Sequence, residues 1–186
     1  MSKEKIPNRF WKSTKLEKSN CIKARDKIKI QKTLKAKKGL NSDLINRLLK
    51  CSPNFVGCFA ENELKSLHFG SLPCFLIVNL DSSYMTGSHW IGIGIFKNKL
   101  EVFDSLGFDI FNWPRIPCSL MRLLQQAAVS KKVRISKRLQ PNTSSLCGLY
   151  SIFYVLYRPH FSFKRLQNLF SSKLSRNDCL LLKLFG

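Results

Sequence analysis

Acidic residues are scarce in this chain: 11 Asp and Glu stand against 32 Lys and Arg in 186 residues, a formal net charge of +21. That imbalance rules out a charge-neutral surface and favours polyanionic partners such as DNA or RNA. Long apolar runs are missing. Leu72–Leu80 and Ile91–Phe96 are strand-sized, well short of the ~20 residues that cross a bilayer, so no membrane partner is expected. The N-terminus lacks the apolar core of a secretory signal, which argues against export by that route. The seven cysteines form no CxxC pair and no His/Cys cluster of zinc spacing. A disulfide framework and a structural zinc are therefore not expected, and no metal site is assigned. Cys21, Cys51, Cys58, Cys74, Cys118 and Cys179 read as reduced, partly buried thiols of an intracellular protein. Only Cys147 has a setting that suggests chemistry.

What is present is core material. Hydrophobic residues make up 44% of the chain and include 14 Phe, enough for one domain with a substantial interior. The positive charge is spread unevenly: residues 1–38 hold 14 Lys/Arg against 3 acids, and the remainder holds 18 against 8. Residues 1–38 show no repeated apolar face and read as a flexible or transiently helical basic arm. Within it, 23–38 has the composition of a nuclear-import signal or of a solvated tail. The folded domain is expected over 39–186.

Asn41 or Ser42 can cap a helix that places Leu44, Ile45, Leu48 and Leu49 on one face. Ser52-Pro53-Asn54 stops it, and Phe55–Ala60 is a short strand candidate. Cys74–Leu80 reads as a buried central strand. In His89–Phe96 the isoleucines at 91, 93 and 95 face one side, and Trp90, Gly92, Gly94 and Phe96 the other. Glycines on one strand face mark close approach of another element. Lys97-Asn98-Lys99 turns the chain into Leu100–Asp104. A helix over 119–129 and a one-sided edge strand over 132–139 follow. Cys147–Tyr157 reads as a buried helix ending before Pro159, and amphipathic helices over 162–172 and 177–184 finish the chain. This order predicts an α+β domain with a small mixed β-sheet packed with helices.

Four residues carry chemistry. Cys147 opens the apolar helix, where free N–H groups and the dipole favour a thiolate. Of the three histidines, His68 falls in a polar loop and His160 at a helix end, which leaves His89 as the imidazole able to take the thiol proton. Asp104 ends the strand that hairpins back from His89. It can accept from the imidazole and fix its tautomer, or cap the Ser105-Leu-Gly turn. Gln140, seven residues before Cys147, offers uncharged N–H donors that, with the Cys147 backbone N–H, can bind an oxyanion. Gly148 lets the backbone pack closely behind the sulfur.

The order His89-Trp90, Asp104, Gln140, Cys147-Gly148 resembles the active-site pattern of the adenovirus endopeptidase (adenain) family and, more distantly, of proteases that process ubiquitin-like modifiers. The resemblance covers about residues 40–158. It implies an adenain-type cysteine protease with Cys147 as nucleophile, His89 as general base, Asp104 orienting it, Gln140 in the oxyanion hole, and Trp90 packed beside the site. It also implies maturation of capsid precursors of a virus or virus-like element, in the host nucleus and the particle, with small residues, glycine above all, near the cut. Adenain has Glu where Asp104 stands; Asp is usual in the modifier-protease branch. Residues 129–139 contain no cysteine, which counts against a disulfide-linked activating peptide, and 1–38 have no counterpart.

The expected function is thus a cysteine endopeptidase that needs no cofactor for its chemistry, with DNA or a peptide as candidate activators. Its expected partners are protein substrates and non-specifically bound DNA, and its expected state is a monomer. Two alternatives stay open: a protease of ubiquitin- or SUMO-like modifiers, and a non-catalytic basic nucleic-acid-binding protein.

Overall fold

Five strands, β1 (Phe55–Ala60), β2 (Cys74–Asn79), β3 (Trp90–Ile95), β4 (Lys99–Phe103) and β5 (Lys132–Ile135), form one sheet in chain order. β1 runs parallel to β2 and β4 to β5, while β2, β3 and β4 are antiparallel neighbours. The fold is α+β with a mixed sheet. It is seen in a computed structural model that describes residues 24–35, 39–67, 69–112 and 116–185. The helices among them are α1 (Ala24–Lys35), α2 (Ser42–Leu49), α3 (Cys118–Ser130), α4 (Cys147–Tyr157), α5 (Phe163–Asn168) and α6 (Leu174–Phe185), with a 3-10 helix at Glu61–Ser66. None of these is long and apolar enough to cross a membrane.

Alternation along the strands builds two cores, one on each side of the sheet. Phe75, Ile77 and Phe103 pack with α2, α4, α5 and α6 in the larger one. Leu76, Val78, Ile91, Ile93 and Val102 pack against Leu64 of the 3-10 helix and Leu120 and Leu124 of α3. The α2 helix forms as its sequence dictates: Asn41 Oδ1 accepts from Leu44 N at 3.0 Å, and Leu44, Ile45, Leu48 and Leu49 are buried. The β3 glycines have a steric reason. A Cβ on Gly94 would lie 2.2 Å from the Tyr154 hydroxyl, and one on Gly92 would lie 2.7 Å from the Tyr154 ring. Only a bare strand face admits α4 this closely.

The topology gathers the site at one end of the sheet. The C-terminal ends of β1, β2, β4 and β5 and the N-terminal end of β3 all point the same way. His89 immediately precedes β3 and Asp104 immediately follows β4. The α4 helix packs on β3 across Gly92 and Gly94, placing its first residue, Cys147, near the same end.

Three boundaries depart from the sequence reading. Residues expected within a flexible or transiently helical arm form α1, and its Ile30 is fully buried in the larger core. Among the described side chains of this lysine-rich helix, Ile30 is the one buried in the core. The rest of the basic segment (1–23 and 36–38) and His68 lie outside the described residues. β5 ends at Ile135 rather than near 139 because the next residues bond to the turn after β4: Ser136 Oγ donates to Asp104 O at 2.6 Å, and Leu139 N and Gln140 N both donate to Ser105 O at 2.8 Å. At the C-terminus, α5 is shorter than expected and α6 begins earlier, at Leu174. Buried Asn177, within α6, accepts from Ser171 N at 2.7 Å and ties the junction between the two helices to α6.

Candidate active site

Asp104 emerges from β4 into a turn that saturates its carboxylate. Oδ1 accepts from His89 Nε2 at 2.7 Å and from Leu106 N at 2.9 Å, and Oδ2 accepts from Phe108 N at 3.0 Å. Orienting the imidazole and capping the turn, read from sequence as alternatives, are done by the same carboxylate. The Cys147 side chain acts on the His89 ring as well, favouring its protonated form; with Nε2 on Asp104, Nδ1 is the nitrogen left to face the sulfur. Phe108 covers the ring edge-on at 6.0 Å between centroids. All three residues are buried.

Burial alone would lower the His89 pKa. The hydrogen bonds to Asp104 and Cys147, and the negative charges they carry, outweigh it and raise the value from 6.5 to about 9. At neutral pH the ring is therefore an imidazolium, held through Nε2 by the Asp104 carboxylate. A folded-state value above the unfolded one stabilises the fold fully below about pH 6.5, and that contribution is lost as pH rises through about 9. Its size is on the order of 3 kcal/mol. Urea unfolding of wild type and His89→Gln across this window tests it. The wild-type advantage should shrink steadily with pH, and a difference that stays flat contradicts the ion-paired ring.

Cys147 is the first residue of α4, and no side chain caps that helix start. Among the described residues, neither Cys147 N nor Gly148 N has a hydrogen-bond acceptor. Two free N–H groups and the positive end of the dipole are thus present where a negative charge would form. Behind them Leu40 packs so closely that a Cβ on Gly148 would sit 3.2 Å from its Cβ. Leu40 is itself fixed by Trp90, whose Nε1 donates to Leu40 O at 2.8 Å.

Gln140 arrives from the loop after β5 and is 1% exposed. Its Oε1 accepts from Ser105 Oγ at 2.6 Å and its Nε2 donates to Ser144 O at 2.8 Å. These two bonds decide which way the amide faces and leave one Nε2 hydrogen for the cleft. Ser105 was not singled out from sequence; its position directly after Asp104 was the available signal. The preceding carbonyl, Leu139 O, is held by Asn177 Nδ2 at 2.8 Å and lies 3.2 Å from the Tyr150 hydroxyl. Replacing Ser105 by alanine removes the bond that sets the amide's direction. That should lower kcat roughly 10- to 100-fold with little change in KM. Threonine, which keeps the hydroxyl, should restore most of the rate; an equal loss in both variants would mean that packing, not the bond, matters.

His89, Trp90, Gln140 and Cys147 all line a cleft of about 920 Å³, open along the sheet end. Cys58 lines it too, but burial first and the charge of Glu63 second push its pKa to about 12, so it stays a protonated thiol. No group of three or more His, Cys, Asp or Glu that could hold a metal occurs among the described residues.

No protein-family model matches the chain, and no curated protein matches it. Among solved structures it is similar to ASFV pS273R protease: 19% identity and a TM-score of 0.46, covering 78% of this chain and 65% of that one. The selenomethionine form of the same protease gives 19% identity and a TM-score of 0.47, over 80% and 68% of the two chains. The chain thus spans a little under two thirds of the length of the first. The site's chemistry rests on its own geometry: a thiol, an imidazole and a carboxylate in sequence, with a fixed amide alongside, can form and break an acyl-sulfur bond.

Proposed function

We propose that this chain is a cysteine endopeptidase, and the observation that carries the reading is the buried His89 ring, bonded to Asp104, that shares the wall of one cleft with Cys147 at the start of α4. The Cys147 thiolate adds to the scissile carbonyl. The resulting oxyanion takes hydrogen bonds from Cys147 N–H and the free Nε2 hydrogen of Gln140. The imidazolium donates its Nδ1 proton to the departing amine, leaving a thioester and a neutral ring. His89 then draws a proton from a water that attacks the thioester, and collapse releases the acid and regenerates the ion pair. Asp104 keeps the ring in one orientation throughout. Neither a metal nor an organic cofactor enters these steps.

The resemblance to the adenain pattern supports capsid precursors as substrates, cut beside glycine, and the charge of +21 supports DNA as a surface on which enzyme and substrate meet. The decisive experiment treats the full chain with an electrophilic peptide probe ending in Gly-Gly and locates the adduct by mass spectrometry. Labelling at Cys147 that disappears in His89→Ala supports the mechanism. Labelling elsewhere, or none, removes it. For the oxyanion role, Gln140→Ala should lower kcat about 10²- to 10³-fold.

A further inference from the structure

The cleft is charged against the trend of the chain. Lys and Arg outnumber acids by 32 to 11 overall, yet no Lys or Arg occurs among the described residues lining the cleft, while Glu63 and Asp81 do. The two acids share one wall. β1 and β2 are parallel and pair Ala60 with Asn79, so the 3-10 helix carrying Glu63 and the residues just past β2 emerge side by side. Glu61 N donates to Asp81 O at 3.2 Å. The wall is braced: Asn62 and Ser83 exchange two hydrogen bonds, of 3.1 and 2.9 Å, and Ala60 N donates to Glu63 Oε2 at 2.6 Å. Its field reaches inward, since Glu63 contributes to the raised pKa of the Cys58 thiol. On the opposite side Arg138 is engaged by Gln140 O and Asn142 Oδ1, two residues of the cleft wall.

We propose that the cleft selects basic polypeptide segments, with Glu63 and Asp81 reading a Lys or Arg two to three residues from the bond that is cut. The spacing follows from the sheet. Leu80 N donates to His89 O, so the acidic wall stands one to two strand spacings, roughly 5–10 Å, from the catalytic end of β3. An extended peptide covers that in about two or three residues. Two local anions also answer a problem the net charge creates: a cationic segment approaching a chain of net charge +21 meets overall repulsion, which these carboxylates offset locally. The selection belongs to the cleft itself; only the cut rests on the cysteine-protease reading.

The test uses the full chain and two peptides identical except for Lys or Gln at those positions. The wild-type ratio of kcat/KM, basic over neutral, should be about 5 or more and should fall toward 1 in the Glu63→Gln/Asp81→Asn double variant. Glutamine keeps an oxygen for Ala60 N, and the ratio is independent of how much of the variant is folded. The preference should also shrink as salt is raised to about 0.5 M. A wild-type ratio near or below 1, or one unchanged in the double variant, overturns the proposal. A second arm measures binding of the same peptides to Cys147→Ala by fluorescence anisotropy. Tighter binding of the basic peptide supports the selection even if the chain cuts neither peptide, and equal binding of both refutes it.

Discussion

Replacing Cys147 by alanine is expected to lower peptide hydrolysis by about 10⁴-fold or more, with the circular dichroism spectrum unchanged. The residue begins α4 and adds only a small thiol to a site already packed behind by Leu40, so alanine leaves the helix start intact. His89→Ala should cost nearly as much. The double variant should be no slower than the slower single one, because a nucleophile without its base and a base without its nucleophile are equally idle. Additive losses would show that the two residues act separately. Asp104→Asn is the sharper probe. The carboxylate accepts with both oxygens, from His89 and Leu106 on one and Phe108 on the other. Asparagine has one acceptor oxygen, so it must turn an N–H toward either the imidazole or a backbone N–H. Its loss should be of the order of 10³- to 10⁴-fold, and the raised His89 pKa of about 9 should fall with it. The alkaline limb of the pH–rate profile would then move to lower pH, which a purely structural defect would not produce.

The residues that place this site were legible because local rules set them. A tight turn at Lys97-Asn98 fixes the β3–β4 register, and that register carries His89 and Asp104 to one sheet end. The Gly-Ile alternation of β3 announced that something would lie flat on it, and Tyr154 of α4 does, which brings the helix bearing Cys147 across the same strand. What sequence could not show depends on partners far away along the chain. Ile30 sits among lysines, with no periodic apolar face to mark α1 as anchored, and only the larger core explains its burial. The segment after Ile135 continues a strand-like pattern, but beyond Ser136, whose N still donates to Val102 O, Leu139 N and Gln140 N turn together to Ser105 O. Glu61–Ser66 is mostly polar, and its sole apolar contact to the second core, Leu64, is too little to announce a helix. Glu101 and Arg158 are the clearest case. Glu101 is completely buried and paired with an arginine 57 residues away, a partner that no local pattern announces.

That pair supports the largest stability effect expected here. Arg158 Nε and Nη2 donate to the two oxygens of Glu101 at 2.6 and 3.0 Å, and the Tyr154 hydroxyl donates to Oε2 at 3.1 Å. The guanidinium also lies 4.6 Å over the Phe96 ring and donates to Phe161 O at 2.9 Å. Arg158 caps the end of α4 opposite Cys147, and Glu101 sits three residues before Asp104 on β4. The bridge therefore clamps the helix that carries the thiol to the strand that carries the carboxylate. Removing only the cation, in Arg158→Ala, leaves a charged Glu101 in the interior with a tyrosine hydroxyl and a Lys99 amine 3.5 Å away as its remaining support. The expected cost is about 3–5 kcal/mol, or roughly 6–20 °C in melting temperature for a domain of this size. Replacing both partners, as Glu101→Leu with Arg158→Met, removes two buried charges together and should recover most of that loss. Calorimetry on the two single variants and the double one separates the cases. If Arg158→Ala melts within about 2 °C of wild type, the charge is not held by this bridge. If the double variant recovers stability but loses kcat, the pair's remaining role is to set the distance between the thiol and the imidazole–carboxylate pair, a fixed geometry that apolar packing alone does not impose.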